Sequence, residues 1–168
     1  DGDLIEIEGG AKPNAIPRYA KAIVAVNEDD IKKIQDVIVE LNSNFVRELG
    51  KVDPDVRLNF EKSKLRSDKA FTDDLKNNIV SLLNILPNGV IAMSKNIHGL
   101  VETSVNLGVI ENKEDSVNII SNIRSSVQSS KEYIGLVNKI AAENFGAEFE
   151  IITKYPAWEY KENSPLRE

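Results

Sequence analysis

The hydrophobic period of this chain switches from two to about 3.6 and back, twice over and in the same order, and that doubled order restricts the available folds more than any other feature. In the first half Ile5 and Ile7 alternate with Glu6 and Glu8, and Ala20, Ala22, Val24 and Val26 share one face of a second strand. Ile31, Ile34, Ile38, Leu41, Phe45 and Leu49 then recur at helical spacing. Asn27 before Glu28, Asp29 and Asp30 supplies a helix start, Gly50 supplies a stop, and Val56, Leu58 and Phe60 alternate as a third strand. The second half repeats the scheme. Val101, Thr103, Val105, Leu107 and Val109 form one strand face, and Val117, Ile119 and Ile123 form the next. A helix capped by Ser129 or Ser130 carries Tyr133, Leu136, Val137, Ile140 and Phe145, and Phe149 and Ile151 alternate on a last strand. Between the halves lies a helix with Phe71, Leu75, Ile79, Leu82 and Leu86 on one stripe, stopped by Pro87-Asn88-Gly89, and residues 90–99 read as an irregular connection.

This order predicts an α+β fold of two ferredoxin-like units. Each reads strand, strand, helix, strand; the two share the connecting helix, and helices cover one face of an antiparallel sheet. From Val56 onward the order is β-α-β-β-α-β, and the first unit is the same plan without its opening strand and helix. The expected organisation is a first module over 1–62, a connecting helix and loop over 63–99, a second module over 100–155 and a return linker over 156–168. A missing opening would leave sheet around Ile5, Ile7, Val24 and Val26 without cover, so self-association, with a homodimer as its simplest form, is expected of the isolated chain. A start at Asp1 directly in strand-like sequence, and a stop soon after Ser164-Pro165-Leu166, read like a piece of a larger protein.

Charge and composition remove several function classes. A formal charge of −6 argues against nucleic acid as a partner, because phosphate binding needs a dense Lys/Arg surface. There is no cysteine and one histidine, His98, so neither a disulfide framework nor a zinc centre of the usual imidazole and thiolate ligands can be built from this chain. The acidic pairs Asp29-Asp30 and Asp73-Asp74 sit at helix starts rather than in a loop of spaced oxygen ligands. The apolar runs are too short to span a membrane and no basic-then-apolar leader is present, so a cytoplasmic setting and no membrane partner are expected. No nucleophile and base can be placed side by side by spacing, and His98 reads as a loop histidine.

Two places invite a functional reading. In Gly9-Gly10-Ala11-Lys12-Pro13-Asn14-Ala15-Ile16-Pro17-Arg18, two glycines allow a sharp reversal and two prolines stiffen the chain around Asn14 and Ile16. That is compatible with an ordinary loop of awkward turn chemistry and with a loop that presents an amide. Arg124 ends the strand of Val117, Ile119 and Ile123 on its opposite face, beside the small polar run 125–130. It is compatible with a surface arginine paired to a glutamate and with a guanidinium fork that clamps a carboxylate.

Four stretches resemble one family in the family's own order. They are residues 8–18 above, Pro87-Asn88-Gly89-Val90-Ile91, Val101-Glu102-Thr103-Ser104-Val105-Asn106-Leu107-Gly108-Val109, and Tyr155-Pro156-Ala157-Trp158 before Ser164-Pro165. Together they are similar to the lid, or dimerisation-type, domain of the bacterial aminoacyl-histidine dipeptidases. These are cytosolic carnosinase-like zinc metallopeptidases, related to carboxypeptidase G and the succinyl-diaminopimelate desuccinylases. The resemblance implies a lid that orients a dipeptide ending in histidine over two zinc ions. Those ions belong to a separate catalytic domain of the full-length chain, the partner of this lid. Asn14 and Arg124 match the family's substrate-binding asparagine and arginine, no catalytic or metal-binding residue falls in this stretch, and the fragment alone is expected to be inactive. The sequence departs from the family at Pro13, Tyr19 and Ala157, where a basic or polar residue, an acidic residue and a glycine are common. A stand-alone ferredoxin-like amino-acid-binding regulatory module and a purely structural oligomerisation domain are the alternative readings.

Overall fold

The computed structural model describes residues 2–158. Its elements are β1 (Gly2–Gly9), β2 (Ala20–Val26), α1 (Ile31–Leu49), α2 (Asp73–Ile85), β3 (Gly89–Met93), β4 (Val101–Asn112), β5 (Val117–Ser125) and α3 (Gln128–Asn144). This is the expected α+β architecture with an antiparallel sheet. The strands run β2-β1-β4-β3, and β5 lies along the other edge of β4. The chain divides into two compact units, one of residues up to Glu6 with Ala22–Thr72, the other of Ile7–Lys21 with residues from Asp73 onward. Of the return linker expected over 156–168, residues 159–168, with Ser164-Pro165, lie outside the described residues.

In the first unit the buried side chains of the hairpin are Leu4 and Ile23, while Ile5, Ile7 and Val26 are only partly buried and Val24 is exposed. β2 carries apolar residues on both faces, and where alternation is weak the larger Ile23 takes the interior over the alanines. Helix α1 starts one turn later than its acidic run suggests. Glu28–Asp30 form a 3-10 turn, Asn27 makes no side-chain cap, and Asp30 instead binds Lys33 at 2.8 Å. The hydrogen bond and charge of Lys33 hold the Asp30 carboxyl below its ordinary range.

The strand expected at Val56, Leu58 and Phe60 does not form: the segment joins no ladder. The Asn42 amide of α1 accepts from the Leu58 N–H at 2.7 Å and donates to the Leu58 carbonyl at 2.8 Å. One side chain thus stands in for a neighbouring strand, and period-two alternation cannot reveal that substitution. Further along, the Phe71 N–H donates to the Leu4 carbonyl at 2.7 Å.

The second unit holds most of the buried positions: Ile79 and Leu82 of α2, Thr103 and Val105 of β4, and Ile134, Asn138, Ala141 and Ala142 of α3. The α3 stripe is therefore rotated from the expected one, and Tyr133, Leu136 and Ile140 are each at least half exposed. The small alanines admit close approach to the sheet, where Asn138 donates to Ser121 Oγ at 3.0 Å. The helix start also differs: it is Ser125, not Ser129 or Ser130, whose hydroxyl accepts from the Val127 N–H. Residues 90–93, expected to be irregular, belong to β3, because a short continuous apolar run carries no period to distinguish it. His98 sits exposed in the turn that follows, as expected of a loop histidine. The last expected strand, around Phe149 and Ile151, does not form: those residues belong to no helix or strand.

Two glycines let the 10–18 loop lie on β4. Gly10 has φ +65°, and a Cβ there would fall 1.9 Å from the Gly108 carbonyl oxygen, whereas Gly89, with φ +91°, has open space around it. Gly10→Ala is expected to destabilise the protein by more than the roughly 1–2 kcal/mol of left-handed backbone alone. Gly89→Ala should cost only that backbone term, and thermal melts of the two variants give the comparison.

Candidate functional site

The site is built on the face of β4 and β5 that α3 leaves uncovered. Thr103 pairs with Ser125 and Val105 with Ile123 on the helix side, where the Thr103 and Ser125 hydroxyls lie 2.8 Å apart. The alternate residues point the other way. Ser104 lies opposite Arg124, and Asn106 lies opposite Asn122. This second face is polar. Arg124 is exposed, and among the described residues no carboxylate pairs with its guanidinium. The side chains of Ser104 and Asn122 likewise carry no hydrogen bond there.

The 10–18 loop folds onto this same face. The Gly10 N–H donates to the Tyr19 carbonyl at 3.0 Å, closing the loop at its base. The Ala15 N–H donates to the Lys12 carbonyl at 3.2 Å, closing a turn with Pro13 and Asn14 at its centre. Proline presets the φ that the second turn position requires, and among the described residues none except glycine has positive φ, so Asn14 stands at the third position without backbone strain. From β4, Asn106 Nδ2 donates to the Pro13 carbonyl at 2.7 Å and to the Ala15 carbonyl at 2.8 Å. Asn14 lies between these two anchored peptides. It is exposed, and its own amide has no partner among the described residues. Asn106 and Arg124 are diagonal cross-strand neighbours, a relation that places Cα atoms about 7–8 Å apart.

The structure thus brings the two sequence-derived site residues to one face, and the motifs around them acquire specific tasks. Along the β3 and β1 edge of β4, pairing with β3 ends at Val105 and pairing with β1 is at Ile110. In the gap, Asn88 Oδ1 accepts from the Leu107 N–H at 3.0 Å, which accounts for the asparagine of Pro87-Asn88-Gly89. Beyond Ile110, the Asn112 amide donates to the Ile7 carbonyl at 3.0 Å and accepts from the Ile7 N–H at 3.4 Å. Gly108 sits under the loop, where a Cβ would meet the Pro13 carbonyl oxygen at 2.6 Å.

At the far end of β5, the Lys131 ammonium lies 3.6 Å from the centre of the Tyr155 ring and donates to the Tyr155 carbonyl. The Tyr155 hydroxyl donates to the Ile123 carbonyl at 3.4 Å, and the Ala157 N–H donates to Gln128 Oε1 at 3.0 Å. The Tyr-Pro-Ala segment is thereby seated one residue from Arg124 in the β5 register. Asn106 and Asn88 were visible in the sequence as motif members, but their tasks depend on contacts that no local spacing encodes.

No protein-family model matches the sequence. The chain is 33% identical over 164 residues to the cytosol non-specific dipeptidase of Escherichia coli strain K12, an alignment that takes in 97% of this chain and 33% of that protein. This chain is homologous to a segment of a dipeptidase. The crystal structure of aminoacylhistidine dipeptidase from Vibrio alginolyticus agrees, with a TM-score of 0.92 and 32% identity over 99% of this chain and 34% of that one. The chain therefore spans about one third of the length of these dipeptidases. Among the described residues no group of three or more His, Asp or Glu side chains could hold a metal ion.

Proposed function

We propose that this chain is the lid of a metal-dependent dipeptidase that cleaves Xaa-His dipeptides. In this reading it orients the substrate over two zinc ions held by a catalytic domain elsewhere in the full-length, cytoplasmic enzyme. The observation that carries the reading is that the loop bearing Asn14 is bonded to the same sheet face that displays Arg124, with neither polar group spent on a partner within the described residues. The Asn14 amide would donate to the substrate carbonyl as it becomes an oxyanion, and the Arg124 fork would hold the terminal carboxylate. Ile16, 84% exposed two residues beyond Asn14, would shield the closed site from water. In this arrangement 1–62 and 100–155 act as the two modules, 63–99 as their connection and 156–168 as the return to the catalytic domain. The fragment by itself is without activity.

The full-length enzyme tests this with Xaa-His dipeptides, Xaa-Ala dipeptides and the same Xaa-His dipeptides carrying a C-terminal carboxamide. Loss of a charge-assisted pair of roughly 1.5–3 kcal/mol should lower kcat/KM for the amides by about 10- to 100-fold. Equal turnover of acids and amides would remove the carboxylate clamp. Equal turnover of Xaa-His and Xaa-Ala would leave a dipeptidase without histidine preference.

A further inference from the structure

Resting on that reading of Asn14, we infer that Asn106 is the positioning residue that aims the Asn14 amide. A single Nδ2 group has two hydrogens, and both are used here, one on the Pro13 carbonyl and one on the Ala15 carbonyl. These peptides flank Asn14, so the turn is fixed on both sides of the residue and cannot swivel about either end. The backbone could not come this near β4 without Gly108, whose absent Cβ would clash with Pro13. Asn106 shares its face with Arg124, the diagonal neighbour across the β4 and β5 ladder. One rigid strand pair therefore sets the spacing between the group that meets the reacting carbonyl and the group that meets the substrate's carboxylate.

The chemistry of the side chain is specific. Aspartate has the same shape but only acceptors, and it would face two carbonyl oxygens. Glutamine keeps both donors on an arm one carbon longer. Displacing a catalytic group by about 1 Å can cost on the order of 10²-fold in rate.

The experiment uses the full-length enzyme and the variants Asn106→Asp, Asn106→Gln, Asn14→Ala and the double variant Asn14→Ala/Asn106→Asp, with folding followed by circular dichroism. Asn106→Asp should lower kcat by about 10- to 100-fold with KM changed less than about threefold, and Asn106→Gln should recover much of that loss. The double variant should be no slower than Asn14→Ala alone, because a clamp has nothing to aim once the amide is gone. Multiplying losses in the double variant, or normal kcat in Asn106→Asp, would overturn the inference while leaving the role of Asn14 in place. If Asn106→Asp does not fold, the Asn106→Gln comparison with and without Asn14 decides by the same rule. Normal kcat in Asn14→Ala would instead remove the oxyanion role of Asn14 from the proposed function, and this inference with it.

Discussion

Asn14→Ala in the full-length enzyme is expected to lower kcat by about 10²-fold or more while leaving KM for a dipeptide within a few-fold of its starting value. Its amide would gain a strong acceptor only as charge develops on the carbonyl oxygen, and an interaction made chiefly in the transition state appears in kcat rather than in ground-state binding. The loop gives the amide the rigidity this requires. Pro13 fixes the turn's entry, the Lys12 to Ala15 hydrogen bond closes it, and the Asn14 side chain is left without an intramolecular partner among the described residues. The exposed position separates the effect from folding, since removing a solvated amide leaves no cavity. Steady-state kinetics with metal content held equal provide the measurement. A KM effect alone would make Asn14 a ground-state contact, and no effect on either constant would make the lid a passive cover.

Arg124→Ala should act on the other constant. Among the described residues its guanidinium has no partner on the Ser104, Asn106 and Asn122 face, and losing a charge-assisted pair with a substrate carboxylate should raise KM by about 10- to 100-fold, with a smaller change in kcat. Arg124→Lys should fall between, because an ammonium keeps the charge but not the two-pronged geometry. A stricter comparison uses the carboxamide substrates. The wild-type preference for acid over amide should collapse toward unity in Arg124→Ala, since both arms of that cycle lack the pair. A preference that survives intact would place the carboxylate elsewhere.

The sequence was most informative where a local period or a local turn determines the outcome. β4 and β5 alternate as far as Leu107, α2 shows its stripe and its acidic start, and all three elements appear near their expected positions, but a bulge at Gly108 turns Val109, expected on the Thr103 and Val105 face, to the other face opposite Ile120. It misled where apolar residues occupy both sides of an element. On α3, Tyr133, Leu136 and Ile140 outweigh Ala141 and Ala142 in hydrophobicity, yet the alanines and Asn138 face the sheet because closeness and a hydrogen bond to Ser121 decide the packing. The segment at Val56, Leu58 and Phe60 shows a second limit. Alternation predicts a strand but not the identity of its partner, which here is one asparagine. Asn14 and Arg124 were singled out as candidates through a resemblance of ordered motifs. That Asn106 holds the two peptides around Asn14 was not legible, because the contact joins distant parts of the chain.

That distance has a kinetic side. The hydrogen bonds from Asn106 to Pro13 and Ala15 span 93 and 91 residues, and those between Asn112 and Ile7 span 105. The 10–18 loop therefore gains its anchor only when the first hairpin meets a strand made much later in the chain. Contacts of such separation are slow to close, and hydrogen bonds on an exposed loop are among the first to open. The loop that carries Asn14 would then be ordered late in folding and loosened early in partial unfolding, so the chain can keep most of its secondary structure after the placement of Asn14 beside Arg124 is lost.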